Sequence, residues 1–491
     1  LRKSLRDGGM EDWLAAQSAH PLPWLAAFAI LLAAQVSPWW YPTPDATTYL
    51  SMARGIALAH RLSNLGSIHL GYPPGYPLVI SPAFLISSRP FLVVSLIHWV
   101  MAVIFMAGVY RWIRSLAPAA ALLLTGLVMV NVALWIYYRR TLSETAFMAA
   151  MIWTVLALNS ALEADSARAA ARWTCIGTAL LIALALIRET GVLLAAGFAM
   201  AALLDIRDGK LRWTRGLSMT AALAAPAIAA VAAFLIYDLA TARAAPSAVF
   251  GTHLSGFFDA PTPMLARVIE GLRLRISEAG RLVVPGMFKA YAGHGQWLHV
   301  DMLIYLAVFG AVAIGWWRLI RRRRDVLAAT APFYFALYVV WAFDADTRYL
   351  LPLLPLLAVC LWFVIEPFTH WRLSVLAMLL VAHLAVALGY WTTVEIPRAI
   401  ACDDEWAPVA ALAPDLKDGA DLVVATHQVP QCARLMLSFL IDRPVVERID
   451  QKDFPGARAI VARWNDPNPP GFKVQQSAGP YKLLVWQGRR R

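Results

Sequence analysis

The stretch LPWLAAFAILLAAQVSPWWYPTPDATTY, from Leu22 to Tyr49, sets two kinds of chain back to back. From Leu22 to Trp40 no residue is charged, and the run has the roughly 17–25 residues that a helix needs to cross a bilayer. It closes on Trp39, Trp40 and Tyr41, residue types that favour the membrane–water interface. Asp45 follows Pro44 at the expected mouth of this helix and opens the amphipathic stretch Ala46 to Ala59. An aspartate there has two readings. It can cap the helix by accepting backbone hydrogen bonds, or it can be a carboxylate held at the membrane surface as general base for an acceptor hydroxyl.

The same apolar signal recurs along the chain. Of its 491 residues 60% are hydrophobic and 15% charged, with a mean hydropathy of +0.59, whereas a soluble chain carries about 25% charged residues. Spanning runs extend from Phe91 to Tyr110, Leu116 to Tyr138, Thr145 to Leu162, Gly216 to Tyr237, Val326 to Phe343, Tyr349 to Ile365 and Leu373 to Val394. A shorter run covers Met302 to Trp317. The segment Trp173 to Leu204 is interrupted at Arg188-Glu189 and reads as two short helices or a hairpin. These runs predict a mainly α, polytopic membrane protein with about eleven transmembrane helices. The first run is long enough to anchor, so no cleavable signal peptide is expected, and Met10 is a candidate start.

The net charge of +12 does not point to nucleic acid, because the basic residues sit at the ends of apolar runs. Arg2, Lys3 and Arg6, Arg111 to Arg114, Arg168 to Arg172, Arg207 to Arg215 and Arg318 to Arg324 fall on one side if every run crosses. By the positive-inside rule that side is cytoplasmic. The expected location is the bacterial inner membrane, amino end inside and carboxyl end periplasmic. Polar chain then gathers outside, in the loops 41–90 and 241–299, the turn Arg139 to Glu144, the link Phe343 to Arg348 and the tail. Residues 1–400 are expected to form the membrane domain. Residues 401–491 are expected to form a small outer α/β domain, with strands at Ala420 to Thr426, Arg458 to Arg463 and Tyr481 to Gln487 and a helix at Pro430 to Leu440. Cys402 and Cys432 fall in this oxidising compartment and form a candidate disulfide, the alternative being two free thiols. Cys175 and Cys360 read as packing residues.

Three further motifs carry a resemblance. One is His69-Leu-Gly-Tyr72-Pro-Pro-Gly-Tyr76-Pro77, the second Tyr138-Arg139-Arg140-Thr141-Leu142-Ser143-Glu144, and the third Arg348-Tyr349-Leu-Leu-Pro352. Together with Asp45 after the first helix, their order and shared outer side resemble the GT-C fold glycosyltransferases, in particular the protein O-mannosyltransferases and lipid A aminoarabinose transferases. The resemblance implies a sugar donor on a polyprenyl or dolichyl phosphate, with Asp45 as catalytic base. Two positions depart from it: Ala46 stands where many relatives have a second acid, and Tyr72 where several have lysine. No cluster of His, Cys and carboxylates replaces a paired-acid metal site. No obligatory metal or cofactor is therefore expected, though a divalent metal is not excluded. Arginine, whose planar fork matches phosphate, is expected to neutralise the leaving group, and Arg348, Arg188, Arg139 and Arg140 are the candidates. Each can instead snorkel to headgroups or pair with Glu144, Glu189, Asp344 or Asp346.

Glu144, His69, Tyr72 and Tyr349 are candidate substrate-binding residues. Glu144 can also belong to a helix-start polar pair with Ser143, and His69 can be a surface loop residue. His98, His370 and His383 read as packing or interface residues. The expected function is transfer of a sugar from a lipid-phosphate carrier to a lipid, glycan or protein acceptor on the outer face. A ligase or polymerase moving a preassembled glycan is the alternative enzyme. A transporter would place charges near mid-membrane instead of at the outer mouth, and a structural partner would leave Asp45 replaceable.

Overall fold

A computed structural model describes residues 9–68, 70–242, 263–285, 299–340, 347–368, 371–417, 423–448, 457 and 459–487. The apolar runs all form helices. After α1 (Met10–Ala19) come α2 (Leu22–Ala33), α3 (Pro44–Ala59), α4 (Gly75–Ile80), α5 (Ala83–Ile86) and α6 (Phe91–Leu116). These are followed by α7 (Ala121–Met129), α8 (Val132–Arg139), α9 (Glu144–Leu162), α10 (Ala167–Ile187), α11 (Leu193–Arg207) and α12 (Trp213–Ala242). The remainder are α13 (Met264–Val283), α14 (His299–Arg322), α15 (Val326–Val340), α16 (Leu354–Ile365) and α17 (Arg372–Tyr390). Among the described residues seven helices are long and apolar enough to cross a membrane, and the bent pair α7–α8 makes up to eight. The other three expected runs form the shorter apolar helices Leu22–Ala33, Val326–Val340 and Leu351–Ile365.

Local sequence explains the interruptions. Helix α2 stops at Ala33, short of the uncharged run's end, and Pro38 lies in the segment that leads out of it. Helices α7 and α8 meet at 51° because Asn131 takes extended backbone and caps the second helix, its side chain accepting from Ala133 N at 3.0 Å. The same amide donates to the Leu282 carbonyl at 2.7 Å, so the break is held by α13. Between α10 and α11 the chain is extended at Arg188 and makes a 3-10 turn over Glu189–Val192, as the hairpin reading expects. Helix α9 packs between α6 and α10, α11 lies on α15, and α14 on α16.

The tail follows α17 through a π turn (Trp391–Glu395) into α18 (Ile396–Asp403) and α19 (Trp406–Lys417). Five strands then form one sheet of order β2-β1-β3-β5-β4, with β1 (Val423–Thr426), β2 (Val445–Arg448), β3 (Ala459–Arg463), β4 (Phe472–Ala478) and β5 (Tyr481–Trp486). Helix α20 (Gln431–Ile441) connects the parallel pair β1–β2, β3 runs parallel to β1, and β3, β5 and β4 are antiparallel. The sequence reading finds β1, β3, β5 and α20 but not the two edge strands. Strand β2 has four residues, and β4 is largely exposed and polar, so neither shows a buried apolar run.

Helix α20 docks the tail onto α3. Asp442, in left-handed backbone (φ 56°) at the end of α20, accepts at Oδ1 from Ser51 Oγ (2.7 Å) and Arg54 Nη2 (2.8 Å). Phe439 lies among Trp40, Phe84 and Phe91, with the Arg54 guanidinium 4.6 Å from its ring centre. Arg89 bridges to Asp403 and covers Trp406. The helix that carries Asp45 is therefore tied to α20 through Ser51 and Arg54.

Candidate active site

Asp45 does not cap its helix. The Thr43 side chain accepts from Ala46 N at 3.2 Å, with Pro44 in the first turn, and this leaves the Asp45 carboxylate to face inward. There it meets two donors: Tyr72 Oη reaches Oδ1 at 2.8 Å and Arg348 Nη1 reaches Oδ2 at 2.6 Å.

Each partner is placed by its own chain. Gly71 adopts φ +69°, and its N–H bonds Asp238 Oδ1 at 3.0 Å. Two prolines after Tyr72, α4 starts at Gly75, which lies so close to the end of α10 that a Cβ there would stand 2.5 Å from the Leu186 carbonyl oxygen. The loop of Tyr72 is thereby pinned beside the turn of Arg188. Arg348 sits in a 3-10 turn, Thr347–Tyr349, ahead of the turn Leu351–Leu353. Its guanidinium lies 5.2 Å from the centre of the Tyr349 ring, which stacks on Tyr338 at 4.9 Å.

A second ion pair abuts the first. Glu144, buried in the first turn of α9, takes Arg188 Nη1 at Oε1 (2.7 Å), while its Oε2 has no hydrogen-bond partner among the described residues. Tyr49 packs edge-on to both Tyr72 (5.1 Å) and Tyr76 (4.9 Å). Tyr76 Oη is 2.6 Å from His98 Nε2, and His98 Nδ1 is 2.8 Å from the Tyr138 carbonyl. Because a carbonyl only accepts, Nδ1 carries the proton and Nε2 accepts from Tyr76. His98 is thus a buried connector, in line with its packing assignment.

The electrostatics favour an ionised Asp45. Burial alone raises the affinity of its carboxyl for a proton, but the Arg348 charge and hydrogen bond, the Tyr72 hydrogen bond and the more distant Arg188 outweigh burial. The net effect holds the group below the ordinary aspartate range. Burial and the neighbouring Asp45 push the Tyr72 hydroxyl well above its usual value, so Tyr72 remains the donor.

The structure brings Asp45, Tyr72, Arg348, Tyr349, Arg188 and Glu144 together. It sets Arg139 and Arg140 in a different group: Arg140 pairs with Glu395 at 3.4 Å, and Arg139 lines a pocket with Ser37, Trp39 and Thr141. His69, Asp344, Asp346 and His370 lie outside the described residues. Cys402 and Cys432 are free thiols and do not form the candidate disulfide. Among the described residues no three of His, Cys, Asp and Glu converge on a metal-sized site.

Sequence reasoning missed Arg275. It lies on α13, paired with Glu278 at 2.9 Å, both nearly inaccessible to solvent, and its guanidinium is 5.6 Å from the Tyr349 ring centre. The available signal was the segment Met264–Val283, whose polar residues alternate with apolar ones at helical spacing.

The helical base with its small C-terminal sheet has the GT-C fold, that of multi-pass membrane proteins. Among solved structures the chain is similar to ArnT from Cupriavidus metallidurans bound to undecaprenyl phosphate, with 12% identity, 95% of this chain and 98% of that chain covered, and a TM-score of 0.59. It is also similar to the Archaeoglobus fulgidus oligosaccharyltransferase tethered with an acceptor peptide, with 12% identity over 90% of this chain and 69% of that one, TM-score 0.53. No family model and no curated protein matches the sequence. At such identities the likeness is one of fold.

Proposed function

We propose that the protein transfers a sugar from a polyprenyl-phosphate carrier to an acceptor hydroxyl on the periplasmic face of the bacterial inner membrane, with inversion at the anomeric carbon. The observation that carries this reading is the 2.6 Å contact between Asp45 and Arg348, brought together across 303 positions of sequence. It joins a base and a phosphate-binding cation in one group. The solved ArnT structure bound to undecaprenyl phosphate supports a carrier of that class.

In the proposed step the acceptor oxygen attacks the anomeric carbon while Asp45 takes its proton. The bond from that carbon to the phosphate oxygen breaks, and the electron pair leaves with the phosphate. The leaving group needs no protein acid, only cations, and these are Arg348 with Arg188 behind it. Arg348 exchanges one oxyanion for another: as its fork turns to the donor phosphate, Asp45 loses its strongest neutralising partner and gains proton affinity at the stage when it must act as base. Tyr72 keeps the carboxylate aligned. No obligatory metal takes part in this scheme.

The test is purified protein in proteoliposomes with labelled polyprenyl-phosphate sugars, scored for transfer and for slow donor hydrolysis. Asp45→Asn is expected to lower both by at least about 100-fold, and EDTA is expected to leave both unchanged. Transfer that persists in Asp45→Asn removes Asp45 from the base role.

A further inference from the structure

A second group of arginines stands apart from Asp45. Arg139 ends α8, Arg140 follows in extended backbone, and Arg398 lies in the first turn of α18. Two of them share one carboxylate at long range: Arg140 Nη2 is 3.4 Å and Arg398 Nη1 4.0 Å from Oε1 of buried Glu395. Both guanidinia also lie over the Tyr41 ring, at 5.4 and 5.6 Å. Arg139 has no ion-pair partner among the described residues. Its Nη1 and the Nε of Arg140 are buried without hydrogen-bond acceptors. Two guanidinium charges thus share one carboxylate while Arg139, next to Arg140 in the chain, adds a third positive charge within its electrostatic reach, a surplus that an oxyanion would offset.

The surroundings say what kind of oxyanion. Met378, Val381 and Leu388 form an exposed stripe at helical spacing along α17. The same run of helix passes through the π turn into α18, where exposed Ile400 flanks Arg398. An apolar face that ends in surplus positive charge at a membrane surface complements an amphiphile with acyl chains and an anionic head. By contrast, the cations beside Asp45 already have carboxylate partners, Arg348 in Asp45 and Arg188 in Glu144.

We infer that Arg139, Arg140 and Arg398 bind the phosphate of an anionic membrane phospholipid whose acyl chains lie along Met378, Val381 and Leu388. Tyr41, beneath two of the guanidinia, shares the short Pro-Thr-Pro segment that leads to Asp45. A bound head group therefore steadies the approach to the carboxylate. That consequence for activity rests on the proposed transferase reading, whereas the binding itself does not.

The experiment places the full chain in nanodiscs of phosphatidylcholine with or without phosphatidylglycerol and reads retained lipid by native mass spectrometry. The parent is expected to retain phosphatidylglycerol preferentially, and each Arg→Gln change at 139, 140 or 398 to weaken that preference about fivefold. Arg398→Gln alone, at a half-exposed side chain, gives the effect without threatening the fold. Glu395→Gln is expected to strengthen retention. Equal retention of the two lipids by the parent, or an unchanged preference in the triple variant, overturns the site. Displacement of phosphatidylglycerol from these arginines by equimolar undecaprenyl phosphate also overturns it, since the group would then belong to the donor. Asp45→Asn is expected to keep the lipid preference, so a parent that retains phosphatidylglycerol but transfers no sugar would sink the transferase reading and leave this one standing.

Discussion

Arg348 Nη1 lies 2.6 Å from Oδ2 of Asp45, and that contact sets the proton affinity of a carboxyl that burial alone would raise. Replacing Arg348 by alanine removes the largest opposing influence, so the Asp45 pKa must rise. Because the ionised form is the base, the acid limb of the pH–rate profile is expected to move upward from below the ordinary aspartate value of ~3.9. The transfer rate is expected to fall about 100-fold or more. Stability follows the same sign. In the parent the pair's contribution is present above ~4 and lost as pH falls through the depressed folded value, whereas in Arg348→Ala this acid sensitivity disappears. An acid limb that does not move would show that another cation governs Asp45.

Tyr72→Phe deletes the other donor to Asp45 without changing ring packing. A modest upward move of the acid limb and a rate loss of about tenfold are expected, consistent with one hydrogen bond to a charged group. Since the Tyr72 hydroxyl is held well above its ordinary value, the parent rate is expected to stay flat up to about pH 10, with no alkaline limb from this residue.

Glu144→Ala strands the Arg188 charge in a site where both partners are largely buried. Removing one member of such a pair costs about 3–5 kcal/mol, to be read as a lowered unfolding midpoint in detergent. Glu144→Gln, which keeps an acceptor, is expected to lose less. If alanine is as stable as the parent, the pair is not the support of this turn.

Gly75→Ala tests the close approach of α4 to α10. The added methyl would stand 2.5 Å from a backbone carbonyl, which cannot swing away as a side chain can. The Tyr72 loop must shift, and a loss of transfer out of proportion to the loss of thermal stability is expected. Equal losses would make the contact one of packing alone.

Phe439→Ala empties an aromatic cage formed by residues from both ends of the chain. Truncations of this kind cost about 3–5 kcal/mol. Limited proteolysis is expected to release the tail from the variant faster than from the parent.

How much of this was legible beforehand follows from which signals are local. The apolar runs and the break at Arg188 are written in contiguous residues and are legible as helices and a turn, although three of the runs form helices shorter than a full crossing and the helix of Asp45 starts at Pro44, one residue earlier than its charge suggests. The convergence of Arg348 on Asp45 was expected only through resemblance and charge placement, because nothing in either segment names the other. Thr43 before Pro44 is a strong start signal, and with Thr43 as the cap the first of the two readings of Asp45 falls away. Arg275 escaped because an arginine on an amphipathic helix reads as solvated until the opposite wall is known. Arg139 and Arg140 sit beside Glu144 in sequence but turn away from it, as the chain leaves α8 in extended backbone.

The lock between α3 and α20 has a consequence for biosynthesis. Ser51 and Arg54 find their partner, Asp442, some 390 positions downstream, so the helix that presents Asp45 is threaded early yet braced by the portion of chain translated near the end. A ribosome-bound precursor lacking that portion would carry every arginine and carboxylate of the site but not the brace on the helix that presents Asp45.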